Sequence, residues 1–396
     1  MELSERAKRL EPSATLVVTA KSKELKAQGK PVISFGAGEP DFDSPKCAAE
    51  GAFAAIRAGH THYTASNGIP ELRKAVCDYY ERQFGLSYDP AQVVVDCGAK
   101  PLLYDALACL VNPGDEVIVF TPAWVSYVEQ IRLFDGVAVE IDTSKTNYIP
   151  DPAQLEKAIT PKTKCIMINT PNNPTGAVYD AATLTAIAKL AVKHKIAILY
   201  DEIYERMVYD GAKHENIVVL CPEVRDLTIL INGVSKAFAM TGWRIGYGLG
   251  PKDFMKTLND LKGHINTNAT SISQYAAVEA LKGGEPDVKK MVEAFSARRK
   301  LIVKLLKAMP YIKLSEPDGA FYAWFNLGDA IGKSWQGKKI DSDTAFCETL
   351  LEAKFVAGVP GSAFMAPGNV RLSYASSEED ITEGMRRLHE FLDELK

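Results

Sequence analysis

The stretch LTILINGVSKAFAMTGWRIGYGLG, running from Leu227 to Gly250, carries the reading of the whole chain. It opens on an apolar run of strand length, Leu227 to Ile231, without the polar alternation of a half-wet strand. An Asn232-Gly233 turn follows, then Lys236 among small and apolar neighbours, Arg244 a little further on, and a second run from Ile245 to Gly250. A desolvated lysine with another positive charge near it is biased toward the neutral, nucleophilic amine. One lysine by itself is better read as a stem packed on the surface with its ammonium in water. The other strand ends decide between the two.

Outward from this stretch, residues 45 to 285 alternate helical periodicity with short apolar runs that end in polar or glycine-rich turns. The strand candidates are Val93 to Cys97, Glu116 to Phe120, Val137 to Ile141, Cys165 to Asn169, Ile196 to Tyr200, Leu227 to Ile231 and Ile245 to Gly250. Their pattern predicts an α/β fold, a mostly parallel seven-stranded sheet covered by helices on both faces. Beyond residue 285 the pattern changes to a long basic helix (Val288 to Met309), a strand (Ala320 to Asn326) and a polar loop (Gly328 to Gly337). A helix (Thr344 to Lys354), a strand (Val370 to Tyr374) and a last helix from Glu378 complete it. The first 45 residues are too few to fold alone. The expected division is a large domain over 46–287 and a smaller, discontinuous α+β domain from 1–45 and 288–396.

The 396 residues are 46% hydrophobic and 24% charged, with a formal net charge of -4, which points to neither nucleic acid nor an acidic membrane surface. No apolar run approaches the roughly 18 residues of a membrane span, and no apolar h-region follows the charged N-terminus. Seven cysteines without a C-x-x-C pair suggest reduced thiols and a cytoplasmic setting. Gly328 to Ser334 imitates a phosphate loop but has three residues between its glycines where four are needed. Gly246 to Gly250 lacks dinucleotide spacing and is read as opening no helix. None of the six histidines stands in a metal-ligand spacing, so no metal site is expected.

Ligands of open α/β sheets bind outside the carboxyl ends of the strands. After the run ending at Cys97 comes Gly98-Ala99-Lys100, a glycine turn into a helix N-terminus that suits a phosphate. After Phe120 comes Trp124, an aromatic ring on which a flat cofactor could stack. After Asn169 comes Thr170-Pro171-Asn172-Asn173-Pro174-Thr175-Gly176, two amides held between prolines. The run ending at Tyr200 leads into Asp201-Glu202-Ile203-Tyr204, and a carboxylate buried there should have a cationic partner. Each feature alone has a bland explanation as a turn, a core ring or a structural ion pair. Together with Lys236 they form the parts list for pyridoxal 5′-phosphate: a Schiff-base lysine, a carboxylate for the pyridine nitrogen, a stacking ring and a phosphate cradle.

With these residues in view, the chain resembles the class I aminotransferases of fold type I, and within them the bacterial aspartate aminotransferase branch. The resemblance runs through Pro12 to Thr15, Gly36 to Phe42, Tyr63-Thr64, Gly68 to Arg73, Pro171 to Gly176, Asp201 to Tyr204, Ser235 to Gly246 and Asn369 to Tyr374. It implies a fold type I PLP-transferase in which Lys236 carries the cofactor, Asp201 pairs with the pyridinium nitrogen, and Asn173 and Tyr204 bond the ring oxygen. Gly98, Ala99, Ser235 and Arg244 would hold the phosphate, with Lys100 on the same turn, and Trp124 would stack on the ring. Tyr63 would reach the phosphate of a neighbouring subunit in a homodimer with composite sites. Arg371 would clamp the substrate α-carboxylate with help from the Gly38 amide, in a pocket that also includes Trp124 and Asn173. Lys100 would meet a distal carboxylate, although Pro101 and Leu102 follow where that branch usually continues with glutamine. The implied reaction moves an amino group between aspartate or glutamate and 2-oxoglutarate or oxaloacetate, with Lys236, Asp201 and Tyr204 as catalytic residues. Alternatives on the same scaffold are transaminases for aromatic, prephenate or neutral substrates and a β-eliminating lyase. A cofactor-sensing transcription regulator would need a DNA-binding extension, and the first 45 residues contain no basic helix-turn-helix unit.

Overall fold

The computed structural model describes residues 2–396. All seven apolar runs become strands of one sheet: β1 (Val93–Asp96), β2 (Glu116–Thr121), β3 (Val137–Asp142), β4 (Thr163–Asn169), β5 (Ala197–Asp201), β6 (Thr228–Gly233) and β7 (Gly246–Leu249). Their order across the sheet is β1-β7-β6-β5-β4-β2-β3. The ladders from β6 to β3 are parallel, while β7 runs antiparallel to both neighbours. Connectivity explains the exception. Parallel neighbours need a crossover, supplied by helices such as Val125–Leu133 and Ala181–His194, whereas the chain between β6 and β7 holds no α-helix and turns straight back.

β1, β4, β5 and β6 are buried along nearly their whole length, which is why they read as unbroken apolar runs. β3 departs from the expected two-sided cover: it is one of two edge strands, and only Ile141 in it is buried, whereas β1 at the other edge is buried throughout. A helix also follows β7 after all, Lys252–Gly263 behind Pro251. Because β7 is antiparallel, with Leu249 beside Val93, that helix begins at the edge opposite the carboxyl ends of the parallel strands.

The C-terminal part builds a second, antiparallel sheet from β8 (Lys313–Ser315), β9 (Tyr322–Asn326), β10 (Val359–Pro360) and β11 (Asn369–Ser373), in the order β10-β11-β9-β8. The helices Glu285–Lys307, Asp343–Lys354 and Glu378–Asp393 belong to the same part. The polar segment Gly328 to Gly337 is not a plain loop, since Ser334–Trp335 pairs with Lys338–Lys339 as a short hairpin. Near the N-terminus, Ile33–Ser34 pairs in parallel with Val356–Ala357, and Phe35 joins the core built by Phe295, Phe321 and Leu388. That core also takes Ile203, Tyr204, Met207 and Tyr209 from just beyond β5. The segment after β5 therefore links the large sheet to the second core, and the cleft between them opens at the carboxyl ends of β4, β5 and β6.

Candidate active site

The cleft holds a cavity of about 410 Å³ whose lining includes Gly38, Ala99, Lys100, Trp124, Asn173, Asp201, Tyr204, Ser235, Lys236, Arg244 and Arg371. Residues as far apart in sequence as Gly38 and Arg371 meet there because the N-terminal segment and β11 both pack against the second core. Gly98 stands one residue outside the lining, and Tyr63 does not enter it: its side chain is 87% exposed on this chain. One chain thus brings the other expected residues of the N-terminal segment, the strand ends and β11 into one cavity, with Gly98 next to its lining and Tyr63 exposed outside it.

Lys236 sits in the loop between β6 and β7, its Nζ donating to the Gly38 carbonyl at 2.5 Å and lying 6.0 Å from the centre of the Phe321 ring. Burial pushes its ammonium down to about 8, Glu39 opposes that shift, and Arg244 and Arg371 add to it. Above that pH the amine is free to act as a nucleophile and as a proton acceptor.

Asp201 ends β5 and is 4% exposed. Its direct partners within the chain are neutral. Its Oδ2 accepts from the Tyr127 hydroxyl at 2.6 Å and its Oδ1 from the Ile203 amide at 3.2 Å, and no ion pair to it forms among the described residues. Burial raises its carboxyl to about 6, against the lowering effect of those two donors. A carboxylate with two neutral donors and no counter-ion is poised to receive a cation from a ligand.

The Asn173 backbone N–H donates to Asn169 Oδ1 at 2.9 Å, and Asn173 Oδ1 accepts from Arg371 Nη1 at 2.9 Å. Three X-Pro peptides near these strand ends are cis: Thr121-Pro122, Thr170-Pro171 and Asn173-Pro174. Arg371, on β11 and only 2% exposed, also donates from Nη2 to the Gly36 carbonyl at 2.8 Å. Its guanidinium lies 4.4 Å from the Tyr322 ring centre and 4.9 Å from that of Phe364, and its Nε has no partner. Tyr204 and Tyr322 share a hydroxyl–hydroxyl bond of 2.8 Å, and burial holds both phenols above their ordinary range.

At the other end, Gly98 takes φ 103°, and a Cβ there would stand 2.5 Å from Arg244 Nη2. The Gly98 amide already donates to the Asp96 carbonyl at 2.8 Å, so the free donors are those of the helix Ala99–Leu110, whose first turn lacks intrahelical partners. Arg244 is held by the Thr241 and Cys97 carbonyls at 2.9 and 3.2 Å. The Lys100 ammonium lies 4.6 Å from the Trp124 ring centre, and burial and then Arg244 lower its pKa.

Sequence reasoning missed Tyr127, Tyr322 and Glu39. The two tyrosines look like ordinary core aromatics. Only the helical spacing of Tyr127, one turn after Trp124, hints that both rings face one cavity.

A family model described as Aminotransferase class I and II matches residues 30–388. Over 394 residues the chain is 45% identical to the aspartate aminotransferase of Geobacillus stearothermophilus, covering 99% of each. It is 44% identical to the aspartate/prephenate aminotransferase of Cereibacter sphaeroides, over 98% of each. The aspartate aminotransferase of Rhizobium meliloti superposes with a TM-score of 0.96 over 100% of both chains, at 39% identity. That of Thermus thermophilus, solved with maleate, gives 0.93 at 41% identity over 99% of this chain and 100% of the other. With that cleft, and with likeness along its whole length, the chain belongs to the class I and II aminotransferases.

Proposed function

We propose that this protein transfers an amino group between aspartate or glutamate and 2-oxoglutarate or oxaloacetate, using pyridoxal 5′-phosphate held by Lys236. The observation that carries the reading is the pairing, in one cavity, of an amine held down to about 8 with a buried carboxylate that has no cation of its own. The residues fit the cofactor. Asp201 lacks only a positive partner such as a protonated pyridine nitrogen, and Arg371 has an unpaired Nε facing the substrate end. When bound, the cofactor supplies an aldehyde that condenses with amines and a ring that withdraws electrons from the substrate Cα.

In this reading Lys236 Nζ takes the Cα proton as general base and, as general acid, delivers it to C4′ of the cofactor rather than back to Cα. Asp201 stays ionised and keeps the ring nitrogen protonated, with Tyr127 fixing the carboxylate. Asn173 and Tyr204 hold the ring oxygen, and Trp124 covers a ring face. Ser235, Arg244 and the first-turn amides of Ala99 and Lys100 bind the phosphate, with Gly98 shaping the turn that presents those amides rather than donating its own. Arg371 and the Gly38 amide take the α-carboxylate through a planar fork that lysine cannot reproduce. Lys100, poised over Trp124, meets the distal carboxylate, and the Thermus thermophilus relative solved with the dicarboxylate maleate supports that class of ligand.

The same proposal includes a homodimer. Tyr63 is exposed, and a second copy covering it would carry Tyr63 to the neighbouring phosphate. It also includes the division into 46–287 and 1–45 with 288–396, whose closure on Arg371 would exclude water. No helix is long and apolar enough to cross a membrane among the described residues, and the seven cysteines are unpaired, which supports a cytoplasmic setting.

The test is a half-reaction. Holoenzyme mixed with one amino acid and no acceptor should release about one 2-oxo acid per subunit from aspartate or glutamate, and none in Lys236→Ala. Faster release from neutral or aromatic donors would remove Lys100 from its role. Pyruvate and ammonia from a β-substituted amino acid would point to a lyase instead.

A further inference from the structure

Behind the Gly98 turn lies a cluster of charges that the reaction does not use. Asp96 ends β1 and is 0% exposed, Asp105 projects from the helix Ala99–Leu110 and is 2% exposed, and Lys262 on the helix Lys252–Gly263 is 0% exposed. Lys262 Nζ stands 4.0 Å from Asp96 Oδ1 and donates to the Ser66 carbonyl at 2.8 Å. Asp96 Oδ1 also accepts from the Cys97 amide at 2.6 Å and from Asn266 Nδ2 at 2.7 Å. Oδ2 of Asp96 and Oδ2 of Asp105 are buried without any donor among the described residues. A proton on Asp105, which faces Asp96 and whose carboxyl burial and the Asp96 charge raise, would satisfy both oxygens together. The charges then balance: one carboxylate, one carboxylic acid and one ammonium.

This set ties two segments to each other. Asp96 holds the Cys97 amide, and its carbonyl takes the Gly98 amide, so it shapes the turn in front of Ala99. Lys262 holds Ser66, in the irregular loop that carries Tyr63, and Val95 of the same strand bonds the Asn67 carbonyl at 3.1 Å. We infer that the Asp96–Asp105–Lys262 cluster is a positioning device for the phosphate end of the site, aligning the Gly98 turn with the Tyr63 loop under charge balance. The inference rests on the phosphate end assigned under the proposed function.

The groups facing the cluster are few. Asp105 faces Asp96, Lys262 and the Cys109 thiol; Lys262 faces Asp96, Asp105 and the Cys97 thiol, and Arg244 lies on the far side of Cys97. Burial and the Asp96 charge hold the Asp105 carboxyl well above the usual carboxylate range. Loss of the Asp105 proton at alkaline pH leaves two carboxylates against one ammonium, a net negative charge beneath a cradle meant for a dianion.

The test compares ligands with and without the phosphate. Apoprotein regenerated from holoenzyme is titrated with pyridoxal 5′-phosphate and with pyridoxal, following absorbance, at about pH 6.5 and about pH 8.5. Lys262→Met should weaken pyridoxal 5′-phosphate binding roughly tenfold or more and change pyridoxal binding less than about twofold. Asp105→Asn, which keeps the Asp96–Lys262 contact and covers the case in which Lys262→Met does not fold, should bind pyridoxal 5′-phosphate several-fold more tightly than wild type at the higher pH and like it at the lower. Equal losses for both ligands in Lys262→Met, or the wild-type pH dependence in Asp105→Asn, would overturn the inference. A wild type that binds pyridoxal as tightly as its phosphate would instead refute the phosphate end itself, and the inference with it.

Discussion

Asp201 shows how a single residue can be placed against its own folding preference. Its carboxyl, raised to about 6 from an ordinary value near 3.8, is more easily buried protonated than ionised. The sign follows: this contribution to the stability of the cofactor-free chain is fully present below about pH 4 and is lost as pH rises through about 6, amounting to about 3 kcal/mol. Asp201→Asn should therefore stabilise cofactor-free protein by up to about 3 kcal/mol near pH 8 and leave it nearly unchanged near pH 3.5, read from urea melts. Transamination in the same variant should fall at least about a hundredfold. A variant with the wild-type pH dependence of stability would show that the carboxylate is not held at that cost. Tyr127→Phe removes one of the two donors, so the acid limb of the rate profile should move to higher pH.

The strand-to-helix turn at Gly98 is the element with the least room. Its positive φ and the 2.5 Å approach of Arg244 leave no space for a methyl group. Gly98→Ala should weaken retention of pyridoxal 5′-phosphate roughly tenfold or more, measured by dialysis and absorbance, while the fold stays intact because the strain is local, about 1–3 kcal/mol. Unchanged retention would move the phosphate elsewhere. The seven strands show why such elements are readable from residues. A strand buried on both faces needs an unbroken apolar run and ends where polarity returns, so the observed boundaries fall within about two residues of the apolar runs. β3 kept the run without the burial, while β1 at the other edge is covered, because cover at an edge depends on what the rest of the fold packs over it, which no local pattern encodes.

At the scale of the whole molecule, the cleft joins a residue of the N-terminal segment, the large-sheet strand ends and β11. Arg371 has two hydrogen bonds and two aromatic rings around it, one of them from the same antiparallel sheet. Arg371→Lys cannot keep both bonds and a bidentate grip, so kcat/KM for aspartate should drop by a factor of about a hundred, mainly through KM. A loss confined to kcat would contradict the clamp. Composite sites make a separate prediction: Tyr63→Ala and Lys236→Ala chains, each impaired alone, should regain activity when dissociated and reassociated together, because a mixed dimer has one intact site. No gain on mixing would mean that Tyr63 serves no neighbour.

By itself the sequence determined the sheet, its strand positions and the residue types at their carboxyl ends, since burial of backbone on two faces and the special geometry of glycine and proline turns are local demands. Lys236, Asp201 and Asn173 were legible for that reason, whereas Arg371 came only from the family resemblance. The tertiary structure alone decided that Asp201 has tyrosine and amide donors rather than a cation, that Tyr322 backs Arg371, and that Lys262 meets two aspartates under the cradle. Such pairings join segments from opposite ends of the chain or from different layers, and a side chain's charge state follows from what folding sets against it, which no run of neighbours specifies.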